Sequence, residues 1–233
     1  MLIDATTTIA DITTEQPATV RVFQRHGIDF CCGGKKRLSA ACEERGLSVD
    51  AVLLELQAAS LGTSAEPRLR DLGVTQLIHH LLARYHEPAY VEFDRISAMV
   101  ERVHAVHRDK APEQLDALRV TWFELCDELV GHFRKEELVL FPLLEKLEAE
   151  HELHLGPELA QGPIAHMLTE HDHAGVLLKR IRVVCENFVA PTYACATWRA
   201  LCQGLAEFER ELMQHIHIEN DVLFPKILNP GQR

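Results

Sequence analysis

Two stretches of the chain carry side chains whose types and spacing suit a metal ion. The first is His132-Phe133-Arg134-Lys135-Glu136-Glu137-Leu138-Val139-Leu140-Phe141-Pro142, and the second is His215-Ile216-His217-Ile218-Glu219-Asn220-Asp221-Val222-Leu223-Phe224-Pro225. Both read H-x-x-x-E-x-x-V-L-F-P. A spacing of four stacks an imidazole and a carboxylate on one helix face, offering a nitrogen and two oxygens to a cation. A single pair of this kind arises often by chance on helical surfaces. Its recurrence with the same downstream V-L-F-P marks an internal duplication.

The elements that must position these residues follow from counting in steps of three and four. One pattern runs through Leu72, Thr75, His79, Leu82, His86, Ala89, Phe93, Ile96, Val100 and Val103. A second takes Leu118, Trp122, Leu125, Leu129, His132, Glu136 and Val139. A third takes Ile164, Leu168, His171, Gly175 and Leu178, and a fourth Leu201, Leu205, Phe208, Leu212, His215, Glu219 and Val222. Such stripes are the inward seams of a left-handed bundle. Breakers separate them at Asp109 to Pro112, Gly156 to Pro163, and Val189 to Thr192. The expected fold is all-α, with an up-down-up-down four-helix bundle.

The seams sort the histidines. His86, His132, Glu136, His171, His215 and Glu219 face inward at mid-helix, with His79 two turns before His86 as a candidate for the layer around them. His173 and His217, two residues from His171 and His215, point to roughly the opposite side. Burying four imidazoles and two carboxylates in a leucine-lined seam costs several kcal/mol per ionised group when none has a partner. A bound metal pair removes that cost, because each group becomes a ligand. The separations from His86 to His132 and from His171 to His215 are nearly equal, so two helical hairpins each supply one lone His and one H-x-x-x-E. Mixed nitrogen and oxygen ligation of this sort suits iron best, with zinc or manganese the alternatives.

Composition sets the wider bounds. The chain has 233 residues, 47% hydrophobic and 25% charged, ordinary for a globular protein. A formal charge of −11 without a basic run disfavours nucleic acid and anionic membranes as partners. The start, Met1-Leu2-Ile3-Asp4-Ala5-Thr6, shows no export signal, and no apolar run is long enough to span a membrane. A cytoplasmic location is expected, and with it seven reduced cysteines. Cys126, Cys185, Cys195 and Cys202 lie singly in helical patterns and read as small buried side chains.

Residues 1–62 form a first unit: short helices over Ala18–His26, Ser39–Arg45 and Val49–Ala59 around the loop Ile28-Asp29-Phe30-Cys31-Cys32-Gly33-Gly34-Lys35-Lys36. It is small for a core of its own and is expected to lean on the rest of the chain. A linker at 63–70 leads to the bundle, 71–229. Adjacent Cys31 and Cys32 cannot easily chelate one metal together, and a disulfide between neighbours is strained. They read either as a redox-responsive or iron-handling thiol pair, with Lys35 and Lys36 favouring thiolate, or as small buried side chains in a structural loop. Pro88, directly after His86, should kink or break the first bundle helix beside the site.

These residues resemble a known family. The bundle is similar to hemerythrin-like di-iron proteins. The combination of D-F-C-C-G-G-K with R-Y-H, H-x-x-K-E-E, E-H-D and H-x-x-x-E-N-x-x-L-F-P resembles the repair-of-iron-centres (RIC) family, whose N-terminal part is the ScdA-type domain. The resemblance covers nearly the whole chain. It implies two non-haem iron ions, oxo- or hydroxo-bridged, with ligand positions falling on His86, His132, Glu136, His171, His215 and Glu219. It implies repair of iron–sulfur clusters damaged by nitric oxide or oxidative stress, with iron–sulfur proteins as clients and nitric oxide or dioxygen as small ligands. Iron donation, nitric oxide removal, a nitric oxide reductase-like activity and a buffer or sensor all stay open, as does the oligomeric state, a homodimer included.

Overall fold

The computed structural model describes residues 3–60, 69–151 and 162–229. The expected linker lies outside them except for Leu69 and Arg70, as does most of the breaker between Gly156 and Pro163. Among the described residues there are eight helices and no strand, only an isolated bridge between Thr8 and Arg37.

Four short helices build the N-terminal unit: α1 (Ile9–Glu15), α2 (Val20–Arg25, entered through a 3-10 turn at Pro17–Thr19), α3 (Leu38–Glu44) and α4 (Val49–Ser60). Sequence periodicity missed α1, whose Ile-Ala-Asp-Ile-Thr-Thr-Glu is rich in β-branched residues with weak helix preference. Its helix is set by a cap instead: Thr8 accepts from the Asp11 amide, and the Thr13 and Thr14 hydroxyls turn back onto Ile9 and Ala10 carbonyls. Gly27 and Gly46 end α2 and α3 with φ of +63° and +65°, conformations that only glycine adopts without strain. Ile9, Ile12, Phe23, Phe30, Leu38 and Leu56 are fully enclosed, so this unit has a core as well as a docking face.

The bundle has four helices. Helix α5 runs Val74–Leu81, Leu82–His86 and Glu87–His107, and α6 runs Pro112–Lys135, Glu136–Leu140 and Phe141–Ala149. Helix α7 is Pro163–Val184, and α8 runs Ala196–Ile218, Glu219–Leu223 and Phe224–Leu228. Cross-helix contacts fix their directions. His104 at the end of α5 meets Asp116 at the start of α6, Gln114 donates to the Val184 carbonyl at the end of α7, and His171 early in α7 meets Asn220 late in α8. Neighbours are therefore antiparallel, as expected.

The middle segment of α5, α6 and α8 is in each case a single π-helical turn. Each precedes an x-Pro pair: Glu87-Pro88, Phe141-Pro142 and Phe224-Pro225. Proline has no N–H and crowds the carbonyl four residues back. The chain answers by widening the turn, with the Glu87, Phe141 and Phe224 amides donating to the Leu82, Glu136 and Glu219 carbonyls. The kink expected at Pro88 takes this form.

The π turns also explain where the counted seams fail. One extra residue advances the helical phase by about 100°. Upstream of the turn in α5 the buried stripe is Val74, Leu77, Ile78 and Leu81, not the stripe counted back from His86. His79 is consequently exposed and paired with Glu145 at 3.3 Å, so it has no part in the layer around the site. In α6 the same shift exposes Val139 and buries Leu140, Phe141 and Leu144. Hydrophobic packing resumes on both sides of the polar layer, one cluster reaching towards Trp122 and Trp198, the other around Leu77, Phe141 and Phe224.

Candidate metal centre

Every one of the six inward-facing residues is buried at one level of the bundle. His86, His132, His171 and His215 are 1–3% exposed, and Glu136 and Glu219 are 0%. Their inner nitrogens face one another in pairs, His86 Nε2 to His215 Nε2 at 3.2 Å and His132 Nε2 to His171 Nε2 at 3.1 Å. Both carboxylates span the two pairs. Glu219 Oε1 lies 2.9 Å from His215 and Oε2 3.1 Å from His171, while Glu136 Oε2 lies 3.3 Å from His132 and 3.5 Å from His86. Two overlapping cradles result, His86–His215 and His132–His171, each sharing both carboxylates and each able to hold a cation.

The outer nitrogens decide what the inner ones present. His86 Nδ1 donates to Glu137 at 2.9 Å and His132 Nδ1 to Glu170 at 2.9 Å; an ionised carboxylate only accepts, so Nδ1 carries the proton. His171 Nδ1 donates to Asn220 Oδ1 at 2.8 Å, and Asn220 Nδ2 donates to the Cys31 carbonyl at 3.2 Å, which fixes the amide orientation. In the neutral rings Nε2 is thereby left with its lone pair turned inward. Flat rings hold the imidazoles in place: Phe133 on His86, Tyr85 on His215 and Phe224 on His171, with centroids 4.1, 5.7 and 6.1 Å apart.

The donor set fits a bound cation. Lone pairs facing lone pairs repel unless a proton or a metal lies between them. Both Glu136 oxygens, one Glu219 oxygen and His215 Nδ1 are buried without a hydrogen-bond partner, an expensive state for an interior with no ion. Without a metal, protons stand in. Burial works against the His132 imidazolium, but Glu136 with Glu219 and Glu170 outweighs it and raises His132 to about 9. Burial and the neighbouring His215 instead depress His86. For Glu219 burial is again overcome, by His215 and His171, which hold its carboxyl well below the usual range.

Sequence reasoning missed Glu137, Glu170, Asn220 and the stacking rings. A signal was present, since each polar partner adjoins an inward-facing residue: Glu136-Glu137, Glu170-His171 and Glu219-Asn220. One step along a helix turns a side chain by about 100°, so these neighbours reach the imidazole of the next helix.

Cys31 and Cys32 do not join the six. Their loop sits on the outside of α7, where Cys32 Sγ donates to the His171 carbonyl at 3.4 Å, and a Cβ on Gly175 would come within 3.3 Å of that sulfur. Asp29 Oδ1 accepts from the Cys32 and Gly33 amides at 3.1 Å, and Oδ2 is paired with Lys179 at 2.7 Å. The sulfurs are 3.6 Å apart and all seven cysteines are free. The expectation that nearby lysines favour thiolate fails for Cys31, whose thiol is pushed well up by Cys32, burial and Asp29. Lys36 is engaged with Glu44 instead. His173 faces solvent as expected. His217 points away from the six but is not exposed. The N-terminal unit covers it: Nδ1 meets Asp221 at 2.8 Å, Nε2 lies 3.5 Å from the Thr14 hydroxyl, and the ring stands edge-on to Phe30.

A helical bundle with a buried histidine–carboxylate layer is the architecture of a hemerythrin-type cation-binding protein. Residues 77–227 match the hemerythrin HHE cation binding domain, and residues 5–60 match ScdA_N, a domain of unknown function. Over 212 residues the chain is 35% identical to the iron-sulfur cluster repair protein YtfE of Yersinia pseudotuberculosis serotype O:1b (strain IP 31758), covering 91% of this chain and 92% of that protein. YtfE of Yersinia pestis (strain Pestoides F) matches with the same identity and coverage. The chain belongs to the hemerythrin family, and within it to the YtfE proteins with an ScdA-type N-terminal domain.

Proposed function

We propose that the chain is an iron–sulfur cluster repair protein whose bundle carries a non-haem di-iron centre. The supporting observation is the single buried layer in which four inward ring nitrogens and two spanning carboxylates form two joined cradles. His86 and His215 would hold one ion and His132 and His171 the other, with Glu136 and Glu219 shared by both cradles. Nitrogen and carboxylate donors suit iron, and iron so held would supply redox change and affinity for a diatomic ligand. The protein's own contribution is to orient the rings through Glu137, Glu170 and Asn220 and to keep the layer dry.

In this reading the centre serves clusters damaged by nitric oxide or oxidative stress, by donating iron as cargo and by removing nitric oxide. Its clients are iron–sulfur proteins in the cytoplasm, and residues 1–62 and 71–229 act as two units of one device. No helix among the described residues is long and apolar enough to cross a membrane. The test is transfer. Iron-loaded protein mixed with an enzyme whose cluster has lost iron should restore that enzyme's activity, while protein with iron intact that revives nothing removes the repair reading.

One observation favours a second, catalytic reading in which two nitric oxide molecules take up two electrons and two protons to give nitrous oxide and water, the electrons coming from an external reductant such as a flavoprotein or iron–sulfur protein. That reaction consumes protons, and Tyr90 Oη donates to Glu137 at 3.3 Å while Glu137 accepts from His86 at 2.9 Å, a line of exchangeable hydrogens from the half-buried Tyr90 to the layer. Nitrous oxide formed over more than one turnover distinguishes catalysis from stoichiometric capture.

A further inference from the structure

The outer nitrogens of the layer are not treated alike. His86, His132 and His171 each donate from Nδ1 to an acceptor on another helix, Glu137, Glu170 and Asn220, at 2.9, 2.9 and 2.8 Å. His215 Nδ1 is buried with no partner. The internal duplication shows what is missing. His171 corresponds to His86 and His215 to His132, so the counterpart of Glu170, which precedes His171, is Tyr85, which precedes His86. Where Glu170 accepts a hydrogen bond from His132, Tyr85 lays its ring against His215, with centroids 5.7 Å apart and planes 17° from parallel. Stacking restrains a ring but fixes neither its tautomer nor the basicity of Nε2.

The same tyrosine stands between His215 and the surface. The Arg84 guanidinium lies over Tyr85, 5.1 Å from the ring centroid, and pairs at 2.7 Å with Glu211, one turn before His215 on α8. Side-chain exposures of 50% for Arg84 and 31% for Glu211 put this pair at the surface, where an ion pair adds little stability. Beside it, a cavity of about 240 Å³ has Arg84, Tyr85, Phe133, Glu211, Leu212 and His215 in its wall, and none of the other five layer residues. One cradle therefore adjoins a cavity through its least restrained imidazole.

We propose that the two ions of the layer are unequal: the one between His86 and His215 is exchangeable, entering and leaving past Tyr85, and the one between His132 and His171 is retained. Both imidazoles of the retained cradle are oriented by outer acceptors, whereas the exchangeable cradle has one oriented ring of two. Loss of one such partner costs about 10–100-fold in metal affinity. Resting on the two-iron reading, this assignment identifies the exchangeable ion as the cargo that is donated. Its readout is the order in which iron leaves, not the revival of a client.

Full-length protein is loaded anaerobically with iron(II), its iron is counted, and excess ferrozine is added, whose coloured iron(II) complex reports release. Iron should leave in two phases of equal amplitude, with rates at least about tenfold apart. Tyr85→Glu gives His215 the acceptor that His132 has, and should slow the fast phase about tenfold with the slow phase unchanged. Glu170→Leu should quicken the slow phase by a similar factor and leave the fast one as it was. Arg84→Ala, which uncovers Tyr85, should quicken the fast phase about threefold. Should Tyr85→Glu fail to fold, as judged by its helical circular dichroism, this surface variant carries the comparison. Both irons leaving in one phase, or changes at Arg84 and Tyr85 that act on the slow phase alone, would overturn the proposal and leave the two-iron reading standing. Fewer than two irons per chain before ferrozine is added would instead overturn that reading, and the proposal with it.

Discussion

At the scale of single residues, the six layer positions differ in what holds them, and that difference is measurable. His132→Ala or Glu219→Leu should lose most bound iron yet keep most of the helix content, because apolar packing lies on both sides of the layer. Metal analysis beside circular dichroism checks this, and full retention of iron would show that the wrong ligands were chosen. Glu136 gives a prediction on stability as well as loading. In the metal-free layer it is the leading counter-charge of the buried His132 imidazolium, 3.3 Å away. Glu136→Leu should therefore abolish metal loading and destabilise the metal-free protein at neutral pH by about 3 kcal/mol, as read from denaturant unfolding of both apo-proteins. A metal-free variant as stable as the metal-free parent would mean that Glu136 does not balance the charge of His132.

At the scale of elements, Asn220 and Asp29 tie the cysteine loop to the bundle. Asn220 accepts from His171 with one end of its amide and donates to the Cys31 carbonyl with the other. Asn220→Leu should weaken iron binding about 10–100-fold, as loss of such outer partners does, and should also speed alkylation of Cys32. One effect without the other would separate the loop from the centre. Asp29 sets a pH window. Burial opposes its ionisation, but Lys179 and the Gly33 and Cys32 amides prevail and lower it below the ordinary 3.8. A depressed carboxylate contributes stability that is complete above its unfolded value and lost as pH falls through the folded one. Loop docking should accordingly be flat through neutral pH and give way only below about 4, with Cys32 alkylation by an acid-tolerant reagent as the readout. Loosening near pH 6 would point to a different group.

At the scale of the whole molecule, metal and fold are linked. An ion that binds only the folded chain, supplied at a hundred times its dissociation constant, adds about 2.7 kcal/mol. For a chain of this size that corresponds to roughly 5–10 °C in Tm, so stripping the iron with a chelator should lower the melting midpoint by that order. A midpoint unmoved by chelation would imply that the layer is satisfied without metal.

The sequence by itself determined the helical bundle, the antiparallel order and the six residues that share a level, because periodicity of 3.6 and a duplicated H-x-x-x-E are local facts of spacing. It also located the cysteine loop and the helical irregularity beside Pro88, which takes the form of a π turn and not a break. Tertiary structure decided the rest. His79 left the seam because a π turn inserts a residue of phase, and a count in threes and fours cannot register that insertion. His217 is buried because a domain more than 180 residues earlier in the chain covers it through Thr14 and Phe30. The partners that orient the imidazoles, Glu137, Glu170 and Asn220, act across helices. Contacts between distant segments depend on how faces meet in space, and no pattern within one segment encodes that meeting.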